Sequence, residues 1–310
     1  MLRAISDSSI TAISLMVMIA AVGIFALAGC AGVQQVEEES EHLQIVTSIS
    51  IVADITEQIV GERAQVEYLV PLGEEPEEYE PVPSDFQKVS DADAFFINGY
   101  NLEVWLTQIT GNVADVPVVA AAEEGPTIPL KDSDAPDPHL WLNAEYVRDY
   151  YVEKILSTVV ELDPDGEDYY RQRADNYAEE LTSLHEYITE EAARIPEQKR
   201  VIITSENCFK YYAEAYGFES RGIWEINSPE EGTPQQIARI IELVEEREIP
   251  AVFRENTISP QYMESISEET GVAIGGVVYS DDLGAEGSGA ETLVKMLKHN
   301  TDVFVEALTD

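Results

Sequence analysis

The residues able to do chemistry in this chain are carboxylates and one histidine, and they recur at one kind of place. Glu206 lies in Thr204-Ser205-Glu206-Asn207-Cys208-Phe209-Lys210-Tyr211-Tyr212-Ala213-Glu214-Ala215-Tyr216-Gly217, directly after the apolar run Val201-Ile202-Ile203. That run reads as a buried strand, and Phe209, Tyr212, Ala213 and Tyr216 then recur at helical spacing up to a stop at Gly217. Glu206 therefore falls where a strand hands over to a helix, the edge at which α/β folds bind ligands. A helix N-terminus there favours a carboxylate by up to about 1 kcal/mol. Taken alone, Glu206 is an ordinary first-turn acid. Its meaning depends on what else the chain brings to such edges.

Three further loops carry candidates. Gly73-Glu74-Glu75-Pro76-Glu77-Glu78-Tyr79-Glu80-Pro81-Val82-Pro83-Ser84-Asp85 follows a strand and is stiffened by its prolines. Its acids need cations or water, and alone the segment reads as a solvated loop whose Ser84 or Asp85 caps the next helix. The loop Asp134-Ala135-Pro136-Asp137-Pro138-His139-Leu140-Trp141-Leu142-Asn143 holds His139 beside a large aromatic between rigid prolines. The other histidines, His42, His185 and His299, read as surface residues. Tyr279-Ser280-Asp281-Asp282-Leu283 places a fourth acid at the end of a strand. Glu77 or a neighbour, His139, Glu206 and Asp281 would together give three carboxylates and one imidazole, a set suited to a divalent cation of hard or borderline character.

The elements that must position these loops follow an alternating pattern. Strands are expected at Leu43–Ile49, Ala64–Leu72, Ala94–Ile97 and Val116–Val119, with helices between; Pro117 marks its strand as an edge or a strand start. This βαβα order implies a mainly parallel sheet. Tyr170, Ala174, Tyr177, Leu181, Leu184, Ile188, Ala192 and Ile195 form one apolar stripe on a helix ended by Pro196. From Asp168 to Ile195 such a helix runs about 42 Å, longer than one lobe. The pattern then repeats, with strands at Val201–Thr204, Gly222–Trp224, Ala251–Phe253 and Val272–Tyr279, and helices around 207–216, 234–247, 260–269 and 290–307. The loop from Asn227 to Pro234 enters one of these helices. The expected architecture is α/β: two lobes with mainly parallel sheets joined by one long helix, residues 43–164, 165–196 and 197–310.

Composition narrows the function. The 310 residues are 45% hydrophobic, but 60 Asp and Glu stand against 18 Lys and Arg, a formal net charge of -42. Such a chain repels nucleic acid and anionic lipid. The acids are spread along the whole length, and at molar salt the Debye length is only about 3 Å, so a surface adapted to a salty medium is expected. Ile13 to Leu27 is mostly apolar, shorter than a membrane span, and ends in Leu27-Ala28-Gly29-Cys30. Residues 1–29 look like a lipoprotein signal peptide that leaves Cys30 as the lipid-bearing first residue; an uncleaved helical anchor is the alternative. Residues 30–42 form an acidic tether, and the body is expected outside the cell, lipid-anchored at the extracellular face of the membrane. Cys208 is then the one remaining cysteine, so no internal disulfide is possible.

From about residue 43 to 310 the chain resembles the cluster A-I solute-binding lipoproteins of ABC importers for manganese, iron and zinc. The resemblance rests on SENCFKYYAEAYG, IWEIN and EEGTPQQI in the second half and on GEEPEEYEPVPSD, NGYNLE and DPHLWLN in the first. It implies two α/β lobes on one long rigid helix with a metal buried between them. His139, Glu206 and Asp281 are implied as ligands, with Asp282 as the alternative to Asp281. Glutamate at position 206 resembles the manganese/iron branch, since the zinc branch usually has histidine there. One position departs: the family's G-x-D-P-H-x-Y-E-P reads G-E-E-P-E-E-Y-E-P here, so the ligand histidine has become Glu77. A carboxylate still binds, giving Glu77-His139-Glu206-Asp281; otherwise the site has lost one ligand. The resemblance implies a monomeric, non-catalytic receptor for Mn²⁺ or Fe²⁺, with Zn²⁺ a poorer fit, that serves a membrane permease and its cytoplasmic ATPase. Two other readings are a metal-dependent hydrolase and an adhesion or structural lipoprotein with a degraded site. The chain has no P-loop, no Gly-x-Ser-x-Gly elbow and no His-Glu-x-x-His to favour the hydrolase.

Overall fold

The computed structural model describes residues 42–309 apart from 112, 114–115, 132 and 227–231. Cys30, the signal and most of the tether lie outside the described residues, as do residues 227–231 of the loop from Asn227 to Pro234.

The first half is built on one parallel sheet. Strands β1 (Leu43–Thr47), β2 (Ala64–Tyr68), β3 (Ala94–Ile97) and β4 (Val118–Ala120) are ordered β2-β1-β3-β4. Every pair in the sheet is parallel. Ala94, Phe95, Phe96 and Ile97 are buried without alternation, as expected of a strand covered on both faces. β4 lies at the edge, and Pro117 just before it costs the ladder no donor while its carbonyl still accepts from Phe95 N at 2.9 Å. β2 is shorter than its apolar run suggests, but its ladder continues: Leu69 and Val70 N–H donate to the carbonyls of Thr47 and Ser48, both at 3.0 Å, before Pro71 stops it. The helices of this half are α1 (Ser50–Val60), which packs on β1 and β2, α2 (Pro83–Ser90), α3 (Leu106–Thr110) and α4 (Val152–Leu162), which packs on α1. At the start of α2, Val82 occupies the cap position, and Asp85, three residues in, reaches back to accept from Val82 N at 2.7 Å. Ser84 therefore does not cap this helix, and Asp85 does so from inside its first turn.

The long helix α5 spans Glu167–Ala192, 26 residues, about 39 Å at 1.5 Å per residue. Its buried positions are Tyr170, Ala174, Tyr177, Leu181, Leu184, Ile188 and Ala192, the stripe read from the sequence. That stripe packs against α1 and α4 at one end and, at the other, against α6 (Lys210–Tyr216) and α9 (Leu293–Thr309). One apolar core consequently runs unbroken from Ile45 to Leu308 through the helix.

The second half holds two parallel strand pairs, β5 (Val201–Glu206) with β6 (Glu219–Trp224) and β7 (Ala251–Glu255) with β8 (Ala273–Val278); β5 lies beside β7. Helices α7 (Pro234–Arg247) and α8 (Gln261–Thr270) close a smaller apolar cluster around Ile203, Trp224 and Ile266. Gly222 has no substitute in β6: a Cβ there would sit 2.4 Å from Asn207 N. Its absence lets the chain leaving β5 press close enough for Asn207 N to donate to Trp224 O at 2.9 Å.

Leu181, fully buried at the middle of α5, tests whether the helix is shared core. Leu181→Ala should cost about 2–5 kcal/mol while leaving a single cooperative transition, measured by urea unfolding followed with circular dichroism and tryptophan fluorescence. Two separated transitions would mean that the halves fold independently of the helix.

Candidate metal centre

The four loops picked out from the sequence meet at one buried place, where the strands of both halves end. His139 is at its middle, fully buried. The residues after it, Leu140–Leu142, make a single buried turn of helix, so the ring is delivered by a rigid segment. Its Nδ1 lies 2.8 Å from Asp137 Oδ1, which also accepts from His139 N at 3.0 Å. Asp137 is braced in turn by Lys210 Nζ at 3.1 Å and by the Tyr211 hydroxyl, which donates to the Asp137 carbonyl at 2.9 Å. The Trp141 ring stands 5.1 Å from the imidazole, and its indole N–H crosses to the Ser280 carbonyl at 2.7 Å. Asn98 of the NGYNLE segment donates to the Pro138 carbonyl at 3.0 Å and accepts from the Tyr151 hydroxyl at 2.6 Å. That segment's role is to hold the histidine loop.

With Nδ1 committed to Asp137, Nε2 faces the carboxylates. It is 3.1 Å from Asp281 Oδ1 and 3.4 Å from Glu206 Oε1. Asp281 is anchored by the Ser280 hydroxyl, which donates to its Oδ2 at 2.6 Å. Asp282 points elsewhere: its carboxylate accepts from Gly73 N at 2.5 Å and from the Asn256 side-chain amide. Asp281, not Asp282, thus faces the histidine, and Asp282 ties down the glutamate-rich loop. Glu206 ends β5 and is fully buried. The helix expected immediately after it starts only at Lys210, beyond Asn207–Phe209, so its N-terminus does not serve the carboxylate. Among the described residues neither Glu206 oxygen accepts a hydrogen bond.

The Gly73–Asp85 loop is not uniformly solvated. Glu74, Glu78 and Glu80 are exposed, but Glu77 is buried and Glu75 half-buried. The Trp105 indole holds the loop inward by donating to the Pro76 carbonyl at 2.8 Å, and Tyr79 reaches Asp85 Oδ2 at 2.7 Å. Donor atoms of Glu77, His139 and Asp281 lie within 4.8 Å of one another, and so do those of Glu75, Glu206 and Asp281. The sequence therefore brings its four candidates together. It left Glu75 unresolved among the neighbours of Glu77, masked by adjoining acids that are solvated, and it missed Glu255. Glu255 carries the same signal as Glu206, an acid at the carboxyl end of a strand. Its carboxylate accepts from Ser205 N at 3.1 Å and Glu206 N at 2.8 Å, fixing the backbone that presents Glu206. The remaining histidines are not all simple surface groups either. His299 is half-buried with Nε2 3.0 Å from the Val277 carbonyl, and His185 is half-buried against the Tyr216 ring.

The electrostatics describe a place short of positive charge. Burial pushes the Glu206 carboxyl well above the usual range; His139 pulls it down, but Glu77, Asp281 and Glu75 push it up again. Burial and the nearby Asp281 raise Glu75 to about 9, and burial raises Glu255 to about 7. Burial works against charge on His139, yet Asp137 and Glu206 outweigh it and hold the imidazole well above its ordinary value. At 4 Å and an effective dielectric of 20, two like charges repel by about 4 kcal/mol. A divalent cation among these carboxylates would reverse the sign of that term.

Residues 45–307 match the family described as zinc-uptake complex component A, periplasmic. The chain belongs to this family. Its members are binding proteins for transport, not enzymes, and the match confirms the resemblance and the α/β architecture read from the sequence. Among curated proteins, the manganese-binding lipoprotein MntA of Halalkalibacterium halodurans is 51% identical over 272 residues, 88% of this chain and 90% of its own. The manganese ABC transporter substrate-binding lipoprotein PsaA of Streptococcus pneumoniae is 34% identical over 295 residues, 92% and 95% of the two chains. Among solved structures, the periplasmic zinc-binding protein TroA of Treponema pallidum superposes with a TM-score of 0.83 at 27% identity, covering 87% of this chain and all of that one. A manganese-bound periplasmic metal-binding protein from Candidatus Liberibacter asiaticus does so at 0.78 with 26% identity, covering 85% and 98%.

Asp137 gives the geometry a direct check. Asp137→Asn keeps the shape but removes the charge that orients His139, and should weaken divalent metal binding about 10–100-fold, read by isothermal titration. Unchanged affinity would mean that the Nδ1 contact is incidental.

Proposed function

We propose that this chain is the extracellular receptor of a metal ABC importer. It captures a divalent transition metal, manganese in preference to iron and zinc, and passes it to a membrane permease driven by a cytoplasmic ATPase. The observation that carries this reading is the convergence of Glu77, His139, Glu206 and Asp281, from four loops of both halves, on one buried point. In this reading lobes 43–164 and 197–310 clamp the ion across the helix segment 165–196. The donor set is one imidazole and three carboxylates. Zinc favours nitrogen and sulfur ligands, whereas carboxylate-rich sets suit manganese, magnesium and calcium. The relatives named for manganese support the same preference. The receptor acts as a monomer, held to the membrane by a lipid on Cys30, and its acidic surface keeps it soluble in a salty medium.

Metal binding is the decisive test. His139→Ala and Asp281→Ala should each weaken manganese binding at least about tenfold, the scale on which a disturbed ligand shell is felt. Glu77→His should shift the balance toward zinc and Glu77→Ala should weaken both ions. Thermal melts with each ion at matched free concentration in molar salt give the readout, since ligand at a hundred times its dissociation constant adds about 2.7 kcal/mol. Wild-type melts for His139→Ala and Asp281→Ala would remove the metal assignment. Wild-type behaviour of Glu77→Ala would return Glu77 to being a loop acid.

The anchor is tested separately. Cys30→Ala should move the protein from the membrane pellet to the soluble fraction after cell lysis; retention in the pellet would favour an uncleaved helical anchor.

A further inference from the structure

Two donor triads share Asp281. Glu77 and His139 stand with it in one, Glu75 and Glu206 in the other, each with its ligand atoms within 4.8 Å of one another. Ligands on opposite sides of one divalent ion stand about 4–5 Å apart. The shared aspartate and the 3.4 Å approach of His139 Nε2 to Glu206 Oε1 place both triads around one centre. Glu206 supplies the observation that points to a cation there. It is fully buried, and neither of its oxygens accepts a hydrogen bond among the described residues. Glu255 belongs to neither triad; its two oxygens accept from the N–H groups of Ser205 and Glu206.

We propose that Glu75 is a direct ligand of the captured ion and the residue that sets its preference for a hard cation. The inference rests on the metal-centre reading above and adds a fifth ligating side chain to it. Glu75 is two residues from Glu77, on the other side of Pro76, whose carbonyl is held by Trp105. One short anchored segment therefore presents two carboxylates from the same side. With Glu75 the set becomes four carboxylates and one imidazole. Structural zinc sites are almost always four-coordinate. Larger oxygen-preferring ions take six or more donors, and four carboxylates, bound through one or two oxygens each, reach that number with the imidazole. Glu75 thus supplies the donor that separates a manganese-type ion from zinc, in a set whose one histidine is His139.

The test is the Glu75→Gln variant of the full chain, beside Glu75→Asp, titrated calorimetrically with Mn²⁺ and with Zn²⁺ alone. Glu75→Gln should lose at least about tenfold in manganese affinity, with a smaller loss for zinc, and Glu75→Asp should recover part of the manganese loss. Equal losses for both ions with no recovery in Glu75→Asp would overturn the proposal, because packing alone would give that result. A Glu75→Gln chain that binds both ions like wild type would overturn this assignment and leave the metal centre standing. A wild-type chain that binds neither ion would overturn both together.

Discussion

His139 is held between acids on both of its ring nitrogens. Asp137 takes Nδ1, while Asp281 and Glu206 crowd Nε2, all of it buried. A buried carboxylate without compensation costs several kcal/mol or gives up its charge. One imidazole cannot compensate Glu75, Glu77, Glu206 and Asp281 together. The fold around this point is organised to keep those groups from escaping into water, so that a cation becomes the favourable resolution. Glu206 ends β5, Asp281 follows β8, the Trp105 indole draws the glutamate-rich loop inward, and the long helix packs against both halves.

Groups behind the buried acids and the histidine fix where those side chains stand. Glu255 holds the backbone at Glu206, Asp137 orients the imidazole, and the Trp141 indole joins the histidine loop to the Ser280 carbonyl beside Asp281. The histidine loop is itself held: Lys210 and Tyr211 brace Asp137, and Asn98 donates to the Pro138 carbonyl. Supporting partners of this kind tune metal affinity nearly as strongly as the donors themselves. They also account for motif residues that touch no ligand, such as Asn98 of NGYNLE and Gly222 ahead of IWEIN.

Much of this was legible in the residues. The apolar stripe from Tyr170 to Ala192 declared a helix too long for one lobe, because a period of three and four repeated without interruption has one interpretation. The strands were legible as short apolar runs, and the ends of β5 and β8 pointed to Glu206 and Asp281, whereas His139 and Glu77 lie well beyond the strands before them, in Pro-rich loops. What resisted reading was tertiary. No local pattern separates Glu75 and Glu77, which turn inward, from Glu74, Glu78 and Glu80, which face water. The difference is made by Trp105 gripping the Pro76 carbonyl from 29 residues away. Likewise, the choice between Asp281 and Asp282 depends on what each meets from distant parts of the chain, His139 for one and Gly73 for the other, not on their identical chemistry. The start of α6 at Lys210 was obscured for a related reason: Asn207 is drawn to Trp224 of the neighbouring strand before the helix begins.

Asp281 and Asp282 are consecutive, yet one faces His139 while the other grips Gly73 N, at the root of the loop that bears Glu75 and Glu77. Bonded neighbours at the end of a strand cannot be displaced independently. A tug on this dipeptide would shift the carboxylate beside His139 and slacken the hold on Gly73 in the same stroke. The acid beside the imidazole and the tie on the glutamate-rich loop thereby form the two arms of one lever, with the peptide bond between them as its fulcrum.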